Sequence, residues 1–183
     1  MRTVGLFFFV SAALAPGPAM AAIADSSTSG FTVKTTLTIQ AAPADVYRRL
    51  VHNIGDWWNP DHTFSHDSHN LSIEERSMGC FCEKLANGGG VRHMEVVYFD
   101  PGKLLRLSGV FGPLQGLAAA GTLTIQLSPT EGGTKFDATY SVTGYLPAGM
   151  NTWAAPVDSV LAEQFTRLKN YVEHGTPAPA KQP

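Results

Sequence analysis

The sequence predicts an α+β fold: a curved antiparallel sheet of about seven strands wrapped around one long C-terminal helix, with two short helices after the first strand. Three observations carry that expectation. The first is the apolar recurrence in residues 156–174. Val157, Val160, Leu161, Phe165, Leu168, Tyr171 and Val172 follow the i, i+3, i+4 spacing of one helical face. The second is a steady series of turn signals between residues 78 and 133, the mark of an antiparallel meander. The third is one strand set apart from the rest by two helical stretches, which suggests a sheet curling around the terminal helix.

In chain order, residues 1–21 read as a secretory signal peptide. Arg2 gives a positive start, residues 6–14 form an apolar core with three consecutive Phe, and Ala19-Met20-Ala21 offers an A-x-A cleavage site. The apolar run is shorter than the roughly 20 residues of a membrane span, and no Cys follows it to carry a lipid anchor. The expectation is a periplasmic or secreted protein beginning near Ala22, with no stable membrane insertion after cleavage.

The remaining chain of about 160 residues suits one domain with a proper core. Hydrophobic content of 44% is that of a globular protein, and charged content of 15% is low. Removing the single charge of the leader, Arg2, takes the formal net charge from -2 to -3. There is no Lys/Arg run, so nucleic acid is excluded as an expected partner.

Residues 30–40 alternate. Phe31, Val33, Thr35, Leu37 and Ile39 face one way, and Thr32, Lys34, Thr36, Thr38 and Gln40 the other, as in a half-buried strand. Ala42-Pro43 opens a short helix whose inner face is Val46, Tyr47, Leu50 and Val51. A second helical turn, 54–58, ends at Asn59-Pro60. Residues 62–70 are polar and irregular and hold three of the six histidines.

Strands then begin at Leu71 and Ile73 and continue as 80–85, 91–99, 104–111, 121–127 and 134–145. A loop, 146–155, carries Pro147, Gly149 and Trp153 into the final helix. That helix would be about 28 Å long at 1.5 Å per residue. Pro156 suits its first position, and Gly175 followed by Pro177 ends it. Asp158 and Glu163 early and Arg167 and Lys169 late match the helix dipole, and Glu163 and Arg167 are spaced to pair. The domain is expected to span 30–175, followed by a disordered Pro- and Ala-rich tail, 176–183.

This order of elements resembles the START-like, or SRPBCC, helix-grip superfamily. Within it, the chain is most similar to the branch of Hsp90 ATPase activator homologues and polyketide cyclase-type proteins. The residues that carry the resemblance are Ala41-Ala42-Pro43-Ala44-Asp45-Val46-Tyr47, where the family has P-x-x-V-[WFY] entering its first helix. Trp57-Trp58 follows the short helices, and Val160-Leu161 through Arg167-Leu168-Lys169-Asn170-Tyr171-Val172-Glu173 matches the closing helix. The resemblance covers 31–175. It implies a hydrophobic cavity between sheet and helix, and no single activity.

Ligand contacts are expected from Trp57, Trp58, His62, Phe111, Leu114 and Trp153. Adjacent tryptophans on a short turn do not share a face, so one is expected in the core and the other at the cavity. The Gly112–Gly116 bend is a candidate entrance. His62, His66, His69, Cys80, Cys82, Glu83, His93 and Glu95 are metal-ligand types, but their spacing forms no standard site, so no metal and no cofactor are expected.

Cys80 and Cys82 read as two small, partly buried thiols. The alternative is a local disulfide, which would require a distorted strand because residues two apart on a regular strand lie at the limit of disulfide reach. His93 faces Glu83 or Cys82 across the Gly-rich hairpin. The favoured reading is a polar cross-strand pair on the sheet's outer face, and the alternative is a buried acid/base couple. Nucleophile-elbow, phosphate-loop and dinucleotide motifs are absent.

The function expected is binding of a small hydrophobic or amphipathic molecule, lipid or polyketide-like. The alternative is a cyclase or dehydratase acting on a bound carbonyl compound, with His93, Glu83 or Tyr140 as acid/base groups. A partner-binding module like the Hsp90 activator comes third, because export would separate it from an intracellular chaperone.

Overall fold

The computed structural model describes residues 20–178. The apolar core expected of the leader and the last five residues of the chain lie outside them. Eight antiparallel strands form one sheet: β1 (Met20–Ser27), β2 (Gly30–Ile39), β3 (Leu71–Ile73), β4 (Cys80–Lys84), β5 (Gly90–Asp100), β6 (Leu104–Gly109), β7 (Ala118–Thr130) and β8 (Gly133–Tyr145). Their order across the sheet is β1-β2-β8-β7-β6-β5-β4-β3. The helices α1 (Pro43–His52) and α2 (Ile54–Trp57) follow β2, and α3 (Ala154–His174) closes the fold.

The sheet is curved and open, and α3 lies against it as the sequence predicts. Leu161, Phe165 and Leu168 are buried on the helix's inner face, and Phe165 meets Phe136 of β8 with ring centroids 5.0 Å apart. In β2, Phe31, Val33, Thr35, Leu37 and Ile39 are all buried. Val46, Tyr47, Leu50 and Val51 form the buried face of α1. Both stretches follow the expected alternation and helical period.

Several expectations are corrected. The sheet has eight strands rather than about seven, because Met20–Ser27 pairs with β2 as an edge strand. Its residues from Ala22 onward are exposed, so it has no buried face to leave an apolar alternation. Helix α3 begins at Ala154, two residues before Pro156, which the first helical turn tolerates. Glu163 and Arg167 do not pair with each other. Glu163 instead receives Asn59 Nδ2 at 2.6 Å, and Arg167 Nε donates to the Trp57 carbonyl at 2.9 Å. Arg167 thus holds the last residue of α2, and Glu163 the segment that follows it, against the middle of α3.

Cys80 and Cys82 are joined as a disulfide, with Cα atoms 5.3 Å apart. A regular strand would hold them roughly 6.5–7 Å apart. The contraction coincides with a bulge: Phe81 pairs with Met94 but Cys82 with Arg92, so His93 is the extra residue on β5. The strand is therefore distorted where the bond requires it. The bulge also turns His93 and Met94, though successive, to the buried side.

Candidate functional site

A cavity of about 310 Å³ opens between the inner face of the sheet, the segment after α2, the Gly112–Gly116 turn and the first turns of α3. That volume is at the lower end for small-molecule sites, which run from about 300 to 1,000 Å³. Its wall is mainly aromatic and aliphatic, with Trp58, Phe64, Phe81, Phe111, Leu114 and Trp153 joined by Val157, Val160 and Leu161 of α3. Asp61, His62, Thr63 and His93 are the polar side chains on it.

The wall is held in place from behind. Trp58, Phe81 and Phe111 make a cluster with centroid separations of 5.7–5.9 Å. Trp58 Nε1 donates to the His62 carbonyl at 3.2 Å, which fixes the 3-10 turn Pro60–His62 beneath it. The Phe111 N–H donates to the Tyr140 hydroxyl at 3.3 Å, and Gln115 Nε2 to the Arg92 carbonyl at 3.0 Å. These two bonds tie the turn over the cavity to β8 and β5. Helix α3 grips the opposite side. The buried Gln164 accepts from the Asn59 N–H at 2.8 Å, and Glu163 meets His62 Nε2 at 3.2 Å.

Of the expected contacts, Trp58, His62, Phe111, Leu114 and Trp153 are brought to this wall, and Trp57 is not. Trp57 turns into the core, where Nε1 donates to the Arg49 carbonyl at 3.1 Å and the ring borders a separate void of about 10 Å³. The two tryptophans divide as their adjacency requires: α2 ends at Trp57, and Trp58 is already extended. Sequence reasoning did not single out Phe64 or Phe81. Phe64 was legible as the one large apolar residue in a polar segment, and Phe81 as the inward position between the two cysteines.

The Glu83–His93 pair is buried, which corrects the expectation of an outer-face pair. His93 Nε2 lies 3.0 Å from Glu83 Oε2, and the side chains are 6% and 0% exposed. The physical reason is the bulge, which brings His93 to the same side as Glu83, while the cysteines occupy the other side of β4. The second oxygen of Glu83 accepts the Ser65 N–H.

Burial alone would raise the Glu83 carboxyl. Hydrogen bonds from Ser65, Phe64 and His93 outweigh it and hold the group below its ordinary value. For His93 burial dominates over the attraction of Glu83, so its pKa is lowered and the ring is neutral near pH 7. A carboxylate only accepts, so Nε2 carries the proton and Nδ1 is bare. Nδ1 is buried without a hydrogen-bond partner among the described residues. Tyr140 lies behind Phe111, its phenol pushed up by burial.

The other histidines are dispersed. His69 sits beside Asp67 and Asp56, and His52 beside Glu75. Among the described residues, no group of three or more His, Cys, Asp or Glu side chains is placed to hold a metal ion. Nor is any helix there long and apolar enough to cross a membrane.

A model of the family described as polyketide cyclase/dehydrase and lipid transport matches residues 30–173. No curated protein is significantly similar to the chain. Among solved structures, the chain is similar to CalU16 from Micromonospora echinospora, with TM-score 0.60 and 15% identity over 89% of this chain and 88% of that one. A conserved protein of unknown function from Enterococcus faecalis, EF2215, gives TM-score 0.59 and 16% identity over 90% and 82%. An uncharacterized protein from Rhizobium leguminosarum gives TM-score 0.58 and 14% identity over 86% and 99%. At these identities the likeness is one of fold.

Proposed function

The chain belongs to the polyketide cyclase/dehydrase and lipid-transport family of the START-like superfamily, and from that premise we propose that it is an exported protein that binds a small apolar or amphipathic molecule in the cavity under α3. The observation that carries the reading is the cavity of about 310 Å³, walled by aromatic and aliphatic side chains with a few polar groups. Apolar walls supply affinity at about 25 cal/mol per Å² of area removed from water, and the polar groups set orientation. Export is supported by the leader pattern in residues 1–21 and by the Cys80–Cys82 disulfide, a bond that persists in oxidising compartments.

Titration with prodan, a neutral fluorophore without N–H or O–H groups, tests the binding. The expected result is saturable binding at one site. Val157→Trp, which fills the cavity from its partly exposed wall, is expected to weaken it about tenfold or more with the fold retained. Binding that is absent, or indifferent to the Trp, contradicts the reading.

The inward turn of Glu83 and His93 favours a second reading, an enzyme of the cyclase or dehydratase type. In it, His93 Nδ1 would take a proton from a bound carbonyl compound while Glu83 stabilises the resulting imidazolium. Exchange of a bound ketone's α-hydrogens with solvent, lost in Glu83→Gln, would support that reading. No exchange above the buffer rate would remove it.

A further inference from the structure

We infer that His93 is the polar anchor of the cavity, and that its ligand is an apolar molecule carrying one neutral hydroxyl, phenolic or enolic, which donates a hydrogen bond to Nδ1. The inference rests on the proposed binding function and narrows it to a chemical class.

The argument begins with what each imidazole nitrogen can do. Nε2 is committed: it lies 3.0 Å from a carboxylate that is itself fixed by the Ser65 backbone. That contact sets the tautomer and the ring orientation, leaving Nδ1 with a lone pair. Nδ1 has no partner among the described residues, although His93 is 94% buried (6% exposed) and sits on the cavity wall. A buried polar atom without a partner is uncommon and needs an explanation. A ligand donor supplies one.

The surroundings restrict the donor. The rings next to His93 are Phe64, Phe81 and Phe111, at centroid distances of 6.0, 5.2 and 6.4 Å. They offer no competing hydrogen bond and a poor environment for a second charge, so an ionised ligand group is disfavoured at this point. Phe64 stacks on the imidazole and is half exposed. It is the most exposed of these rings, and because Nδ1 itself is covered, a displacement of Phe64 is what would let a ligand hydroxyl reach it. An aromatic ligand body would be accommodated by the remaining rings.

The test compares β-naphthol, its methyl ether and β-naphthoate as displacers of prodan at neutral pH. β-Naphthol is expected to displace prodan at a concentration about tenfold lower than the ether, from a hydrogen bond made to an otherwise unpartnered buried acceptor. In His93→Phe the preference for the naphthol over the ether should fall to about one. Should that variant misfold, nitrogen NMR of the labelled wild-type protein decides instead. The bare Nδ1 resonance of His93 should move with β-naphthol and stay with the ether.

Equal displacement by naphthol and ether in the wild type overturns the inference. So does tighter binding of β-naphthoate, which would mean an imidazolium donor rather than a neutral acceptor. Either result leaves the apolar cavity standing. If prodan itself does not bind, the cavity reading and this inference fall together.

Discussion

Glu83 connects the parts of the site at the level of single residues. It accepts from the Ser65 backbone on one side and from His93 on the other, with no exposed side-chain surface. Glu83→Ala would leave the buried His93 N–H and the partly buried Ser65 N–H without an acceptor, and the expected loss is about 3–5 kcal/mol in urea denaturation. Acid should act in the same direction. The Glu83 carboxyl is held below its ordinary value of 4.5, so its contribution is present above that pH and lost as pH falls through the folded pKa. His93 is lowered from 6.5, so the unfolded chain takes up its proton first and stability declines as pH drops below 6.5. Glu83 is the one charge acting on His93 among the described residues. Melting temperature should therefore fall on acidification from pH 7 to 4, and at least as steeply between pH 6.5 and 5 in Glu83→Gln, where the attraction that holds the His93 pKa up is gone. A flat profile would contradict the burial of the pair. In the sequence both residues were visible as a candidate couple, but their side of the sheet was not. Strict alternation cannot reveal a one-residue bulge, and a lone histidine in a strand reads as outward-facing.

The element that decides the site is the paired ribbon of β4 and β5 with its neighbour β6. The bulge places His93, the disulfide spans the contracted strand opposite, and Gly109 lets β6 approach. Gly109 has φ +145°, and a Cβ there would lie 2.7 Å from the His93 carbonyl oxygen. Gly109→Ala should destabilise by about 1–3 kcal/mol through backbone strain and displace His93. A thermal melt and the His93 imidazole resonance would report the two effects. Reducing the Cys80–Cys82 bond, whose residues are two apart, should cost about 1.5 kcal/mol from chain entropy alone. Reduced and oxidised protein compared in denaturant would show it. The regular elements were legible because each carries its own period: β2 alternates, α1 and α3 repeat every three to four residues, and glycine-rich turns separate the strands. Strand β1 was not, since its solvent-exposed edge residues need no apolar pattern to pair through the backbone.

For the whole molecule, the curved sheet and α3 act as two walls, and the loops of residues 58–64 and 111–114 close the space between them. That architecture was legible from the order of elements, which explains why Trp58, Phe111 and Trp153 could be named before their positions were known. Of the cavity's polar side His62 was legible, while its latch to Glu163 across about a hundred residues and the inward turn of His93 at a bulge were not. The proposed export is a matter for the whole chain as well. Amino-terminal sequencing of the protein from its native cells should begin at or next to Ala22, leaving Ala22 to Ser27 to form the edge strand, and an intact Met1 would refute cleavage. The most direct test of the central claim is native mass spectrometry of the protein purified gently from those cells. The account predicts a reproducible excess mass, lost on denaturation, from a small apolar molecule with a hydroxyl group. A bare polypeptide mass, together with no uptake of prodan or β-naphthol, would contradict it.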